Sequence, residues 1–86
     1  MAKRQYWEIA MDGQTHRLTY TKRAFCATVT LNIDGTSFEL PRGEREEPFR
    51  LGDEQAILGI DRHGRATIRT REGIVPEWQG EPTEPT

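Results

Sequence analysis

The sequence predicts an all-β domain, a small antiparallel β-sandwich or flattened barrel of about eight short strands. Three observations lead there. Apolar residues alternate along most of the chain, as strands half-buried on one face require. Two Asp-Gly pairs, Asp12-Gly13 and Asp34-Gly35, separate alternating runs. Asp-Gly suits a two-residue hairpin loop, whose central residues both take positive φ. Nowhere do apolar residues recur at i, i+3, i+4 and i+7 for two full turns, which argues against a long amphipathic helix.

Taken in order, Trp7, Ile9 and Met11 share one parity, followed by Leu18 and Tyr20. The longest alternating run is Phe25, Ala27, Val29, Leu31 and Ile33. Phe38 and Leu40, Phe49 and Leu51, then Ala56, Leu58, Ile60, Ala66 and Ile68 continue the pattern. The turns fix the register. A loop at Asp12-Gly13 pairs Met11 with Gln14, Ile9 with His16 and Trp7 with Leu18, and sets Glu8 against Arg17 on the other face. A loop at Asp34-Gly35 pairs Leu31 with Phe38 and Val29 with Leu40. In the third hairpin a three-residue loop, Arg62-His63-Gly64, keeps Ile60 opposite Ala66 and Leu58 opposite Ile68, with Gly64 left-handed. The mixed-charge stretch from Pro41 to Pro48 reads as the longest loop, and Gly52 to Gln55 as a short turn. A last short strand runs from Ile74 to Trp78, confined to an edge by Pro76. The expected core is Trp7, Ile9, Leu18, Val29, Leu31, Phe38, Phe49, Leu58, Ile60 and Ile68.

Eighty-six residues suffice for one domain. Residues 1–78 are expected to form it. Residues 79–86, Pro, Glu and Thr with no apolar member, read as a disordered acidic tail. A net charge of -2 gives no reason to take nucleic acid as the default partner. The single cysteine, Cys26, excludes an internal disulfide. Met1 to Tyr6 lack the apolar run of a signal peptide, and no stretch approaches the ~18 apolar residues of a membrane-spanning helix. The expectation is a cytoplasmic protein that does not meet a membrane.

The run Trp7-Glu-Ile-Ala-Met-Asp-Gly-Gln-Thr-His16-Arg-Leu-Thr-Tyr20 resembles the opening of a repeat in the Fas apoptotic inhibitory molecule family. A tryptophan, an alternating strand, an aspartate-glycine turn, a histidine and an aromatic follow in that order. Asn32-Ile-Asp34-Gly35, Pro48-Phe-Arg-Leu-Gly52 and Gly64-Arg-Ala-Thr-Ile68 extend the resemblance over most of residues 6–75. Proteins of the family carry two such domains where this chain has one. The resemblance implies a compact antiparallel β-sandwich without enzymatic activity that acts through protein contacts, and it supplies no catalytic residues.

The chemistry legible in the residues agrees. His16 has inward parity and would be a candidate base or pH switch. No nucleophile partners it in sequence, and Ser37 has outward parity, so a core-edge histidine with satisfied ring nitrogens is expected. His63 sits at a hairpin tip. One cysteine and two distant histidines give no zinc-ligand spacing. Cys26 stands near Lys22 and Arg23, which would favour a thiolate, yet a lone surface cysteine is the plainer reading. Glu44, Glu46 and Glu47, interleaved with Arg42 and Arg45, read as a solvated charge run rather than a paired-acid site. The chain is therefore expected to be no enzyme and to need no cofactor.

Two functions remain as expectations. The first is a protein-interaction module that meets a protein partner or a second copy of itself, by edge pairing of its N-terminal strand, Gln5 to Met11, or by outward residues, with Tyr6 and Glu8 as candidate interface residues. A small open sandwich has unpaired edges, and this strand has neither proline nor an inward charge to protect it. The alternative is anion or nucleic-acid binding through Arg62, Arg65, Thr67, Arg69 and Arg71, spaced along one strand and its turn. No aromatics interleave with those donors, so the stacking half of single-strand recognition is missing there.

Overall fold

The structure, a computed structural model, describes residues 2–11 and 13–78. Eight strands run β1 (Ala2–Met11), β2 (Gln14–Arg23), β3 (Thr28–Ile33), β4 (Thr36–Pro41), β5 (Arg45–Leu51), β6 (Glu54–Ile60), β7 (Ala66–Thr70) and β8 (Gly73–Val75). They form two separate antiparallel sheets, β1-β2-β3-β4 and β5-β6-β7-β8, each strand beside its sequence neighbour. The fold is a sandwich of two meanders. The flattened-barrel alternative falls, because the two sheets are not hydrogen-bonded into one.

All three expected registers are present. Ile9 faces His16 and Trp7 faces Leu18; Leu31 faces Phe38 and Val29 faces Leu40; Ile60 faces Ala66 and Leu58 faces Ile68. At the second turn Asp34 and Gly35 adopt φ of 50° and 93°, the pair of positive values that a type I′ loop needs. At the third, Gly64 has φ 81°, and Asp61 Oδ1 accepts the backbone N–H groups of His63 and Arg65 at 2.8 and 3.0 Å. The inward parity of both sheets fills the core: Trp7, Ile9, Leu18, Tyr20, Val29 and Leu31 from one, Leu51, Ala56, Leu58, Ile60, Ala66 and Ile68 from the other.

Six expectations are corrected. Phe49 is only partly buried and packs against the core rather than within it. Gly52 to Gln55 is not all turn, since β6 begins at Glu54. Phe25 does not open the third strand. It stands at a turn, fully exposed, with φ 65°. Phe38 is not core: it has inward parity but remains 48% exposed, because β4 is an edge strand that sheet two does not cover. The stretch Pro41–Pro48 is not one long loop, since β5 already begins at Arg45. The last strand is Gly73–Val75, after which the chain leaves its sheet. The tail assigned to residues 79–86 lies outside the described residues, as does Asp12 of the first turn.

The backbone of residues 76–78 crosses to the other sheet. Trp78 N–H donates to the Tyr6 carbonyl at 2.7 Å, and the two rings meet edge to face, 6.4 Å apart at 85°. Gln5 secures the same side. Its carboxamide accepts the Ala66 N–H at 2.8 Å and donates to the Ala66 carbonyl at 2.9 Å. One strand would present that same pair of groups to its neighbour. The buried Gln5 side chain therefore continues the β7 ladder where β8 stops, and satisfies backbone groups that burial would otherwise orphan. Tyr20 adds a bond from its hydroxyl to the Gly64 carbonyl at 2.9 Å, and burial pushes its ionisation above the ordinary tyrosine range.

Candidate functional site

A sandwich of two open sheets has four edge strands, here β1, β4, β5 and β8. Each exposes backbone groups unless something covers or interrupts them. On β1, the residues from Arg4 onward whose backbone groups face outward from the sheet edge are Arg4, Tyr6, Glu8 and Ala10, because Ile9 and Trp7 exchange bonds with β2. The Tyr6 carbonyl is already taken by Trp78. β8 is three residues long and is followed by Pro76. β5 carries Pro48 at its centre, at a position whose missing N–H would have pointed to the open edge. It also turns a charged pair inward: Arg45 and Glu47 are half-buried and joined to each other. Such inward charges oppose the addition of another strand.

β4 has none of these devices in its interior. The two-residue loop at Asp34-Gly35 makes Ile33–Thr36 a hydrogen-bonded pair, so Leu31–Phe38 and Val29–Leu40 are bonded pairs too. Ser37 and Glu39 then direct their N–H and C=O groups outward. Pro41, at the strand end, is the only interruption. Beside this edge the two sheets part. Ile33, Phe38 and Leu40 face Pro48, Phe49 and the Arg50 stem across an apolar groove floored by Leu31 and Leu58. One side of the sandwich is thus closed by Trp78, Gln5 and Glu77, and the other is open and apolar.

The residues singled out in the sequence take the following places. Tyr6 is half-buried against Trp78, and Glu8 stands 3.7 Å from Arg17, as the cross-strand pairing implied. Both therefore have partners within the chain. On β7 and just before and after it, Arg65 meets Glu77 at 3.0 Å, Arg69 meets Glu46 at 3.0 Å and Arg71 meets Glu54 at 2.9 Å. Thr67 is exposed between them, and Arg62 projects from the turn. The arginine row is a ladder of exposed ion pairs rather than a bare cationic face.

His16 is buried, and its Nδ1 lies 2.6 Å from Asp34 Oδ2. The carboxylate only accepts, so Nδ1 carries the proton. The Arg17 N–H donates to Asp34 Oδ1 at 2.9 Å. The hydrogen bond from His16, with the second from Arg17, holds the Asp34 carboxyl below its usual range. This histidine ties a strand to a turn. Cys26 is exposed and free. Among the described residues no three His, Cys, Asp or Glu side chains are grouped to hold a metal ion, and no helix is long and apolar enough to cross a membrane. Gln5 escaped the sequence reading. Its inward parity beside Trp7 was the available signal, but its partner lies 61 residues away.

Comparison with protein-family models, curated proteins and solved structures finds no match to the chain.

Proposed function

We propose that this chain is a non-enzymatic protein-interaction module that pairs with a second copy of itself through β4. The observation that carries the reading is the inequality of the edges: β4 leaves its central backbone groups open with the half-exposed Phe38 and an apolar groove beside them, whereas β1, open at Glu8 and Ala10, is partly covered by Trp78. A two-fold axis through Phe38 sets Ser37 opposite Glu39 of the second copy and Leu40 opposite Thr36. Ser37 and Glu39 are the residues whose N–H and C=O groups point outward, so the register satisfies them. It brings the two Phe38 rings together, places neither Glu39 against a like charge, and leaves Pro41 at the periphery opposite Gly35. The pairing is isologous and closes on itself. A β-sandwich acting through protein contacts is also what the resemblance to the Fas apoptotic inhibitory molecule family implies.

Sedimentation velocity over roughly 10 to 500 μM tests this, a range in which even a millimolar association leaves some dimer. The mass is expected to rise from 9.9 kDa toward twice that value. Ser37→Pro, which removes one outward N–H, and Phe38→Asp are both expected to remain monomeric with an unchanged far-ultraviolet spectrum. A parent protein that stays at 9.9 kDa throughout, or a Ser37→Pro variant that dimerises equally well, overturns the proposal.

A further inference from the structure

A net charge of -2 conceals an uneven distribution of cations. The β6–β7 turn leans on the ends of β1 and β2. Lys22 Nζ donates to the His63 carbonyl at 2.9 Å, and its chain lies across Gly64, where a Cβ would fall 2.5 Å from Nζ. Sheet one brings Lys3, Arg4, Lys22 and Arg23 to this end, the β6–β7 turn brings Arg62 and His63, and the β4–β5 connection brings Arg42. Lys3, Arg4, Lys22, His63 and Arg65 line one groove, with Glu77 at its side where Arg65 meets it.

Except for Arg65, the basic side chains gathered here differ in pairing from those elsewhere, of which Arg50, bonded to the Asp53 carbonyl, is the one that also lacks an ion pair among the described residues. Arg17, Arg45, Arg65, Arg69 and Arg71 each meet a glutamate. Lys3, Arg4, Lys22, Arg23, Arg42 and Arg62 have no ion-pair partner among the described residues. Asp61, at the same end, turns its Oδ1 to the backbone of its own turn instead.

At the tip stands Phe25, fully exposed, with φ 65°. A bulky residue in the left-handed region is strained and persists only where its surroundings impose it. Arg42 does so. Its Nη1 donates to the carbonyls of Arg23 at 3.1 Å and Cys26 at 2.9 Å, bracketing Phe25, while its N–H donates to Ala27 at 3.0 Å. The turn holds a bare aromatic ring in solvent among unpaired cations.

From this arrangement we infer a binding site for single-stranded nucleic acid, with the phosphates along Lys3, Arg4, Lys22 and the adjoining Arg23 and a base stacked on Phe25. Cations without partners beside an exposed ring are the two components such recognition needs. A groove fits a chain of phosphates. A membrane surface would be better met by several inserting apolar side chains than by one ring. The site lies at the end of the molecule, apart from the outer face of β7, whose Arg69 and Arg71 are occupied by glutamates.

The experiment is fluorescence anisotropy with a labelled mixed-sequence single strand of about twelve nucleotides. With about four phosphates neutralised, affinity is expected to fall about fifty-fold between 50 and 200 mM salt. Phe25→Ala is expected to weaken binding about tenfold, the loss of one stacked base. The ring touches nothing, so thermal unfolding of that variant should be unchanged. Lys3→Glu combined with Arg23→Glu is expected to abolish binding, whereas Arg69→Gln with Arg71→Gln leaves it intact. Absence of binding at low salt, a duplex bound as tightly as the single strand, or Phe25-dependent association only with phosphatidylserine vesicles each overturns the assignment.

Discussion

At the scale of single residues, the groups that matter most are polar ones near the core. Gln5 substitutes for a strand: its amide supplies the donor and acceptor that Ala66 would otherwise lack. Gln5→Ala is expected to lower stability by about 1–3 kcal/mol in urea denaturation, the penalty of leaving buried groups unpaired. Glu77 receives one of the Gln5 donors at 2.9 Å, but it also faces Arg65, so its removal should matter less. Two turn aspartates make a second residue-scale prediction. Hydrogen bonds hold Asp34 low, first from His16 and then from Arg17, and Asp61 low, first from the Arg65 backbone. A carboxyl whose folded pKa is depressed stabilises the fold above its unfolded pKa, near 3.9, and loses that contribution as pH falls through the folded value. The urea midpoint is therefore expected to drop on acidification below about pH 4. Asp34→Asn combined with Asp61→Asn should flatten that acid limb. An equally steep limb in the double variant would contradict the assignment.

At the scale of elements, parity and turn chemistry made the strands and registers legible. Each Asp-Gly loop has one register that keeps apolar residues on one face, and a slip by one would expose them. Parity does not say how far the opposing sheet extends. Phe38 has the same parity as Leu40 and faces the same way, yet it lies on an edge, and coverage at an edge depends on the other sheet's width. Phe25 looked like the first member of an alternating run because periodicity is blind to where a turn ends. The charged stretch before Pro48 looked like a loop, although inward charges and proline are how an edge strand such as β5 is protected. The crossing of Trp78 to Tyr6, which covers part of the N-terminal strand, is a long-range contact with no local signature. These differences are measurable. Leu31→Ala, in buried β3, is expected to cost about 2–5 kcal/mol. Phe38→Ala should cost well below that in the monomer, because nearly half of the side chain is already in water. A similar loss for both would mean that the groove beside β4 is closed.

At the scale of the whole molecule, the sandwich is asymmetric in two directions. Across the strands, one flank is sealed by the crossing of residues 76–78 and by Gln5, while the other parts into an apolar groove beside an unprotected edge. Along the strands, unpaired cations and Phe25 collect at one end. Neither asymmetry is visible in composition, because both arise from which chain ends and turns the meander brings together. The first predicts where copies meet, and amide hydrogen exchange across a concentration series tests it most directly. In the monomer the Ser37 and Glu39 amides face solvent from the β4 edge and should exchange rapidly. As concentration rises, these two amides should become protected together, while Glu8 and Ala10 on β1 continue to exchange. Protection that does not change with concentration at Ser37 and Glu39, or that develops on β1 instead, would contradict the account.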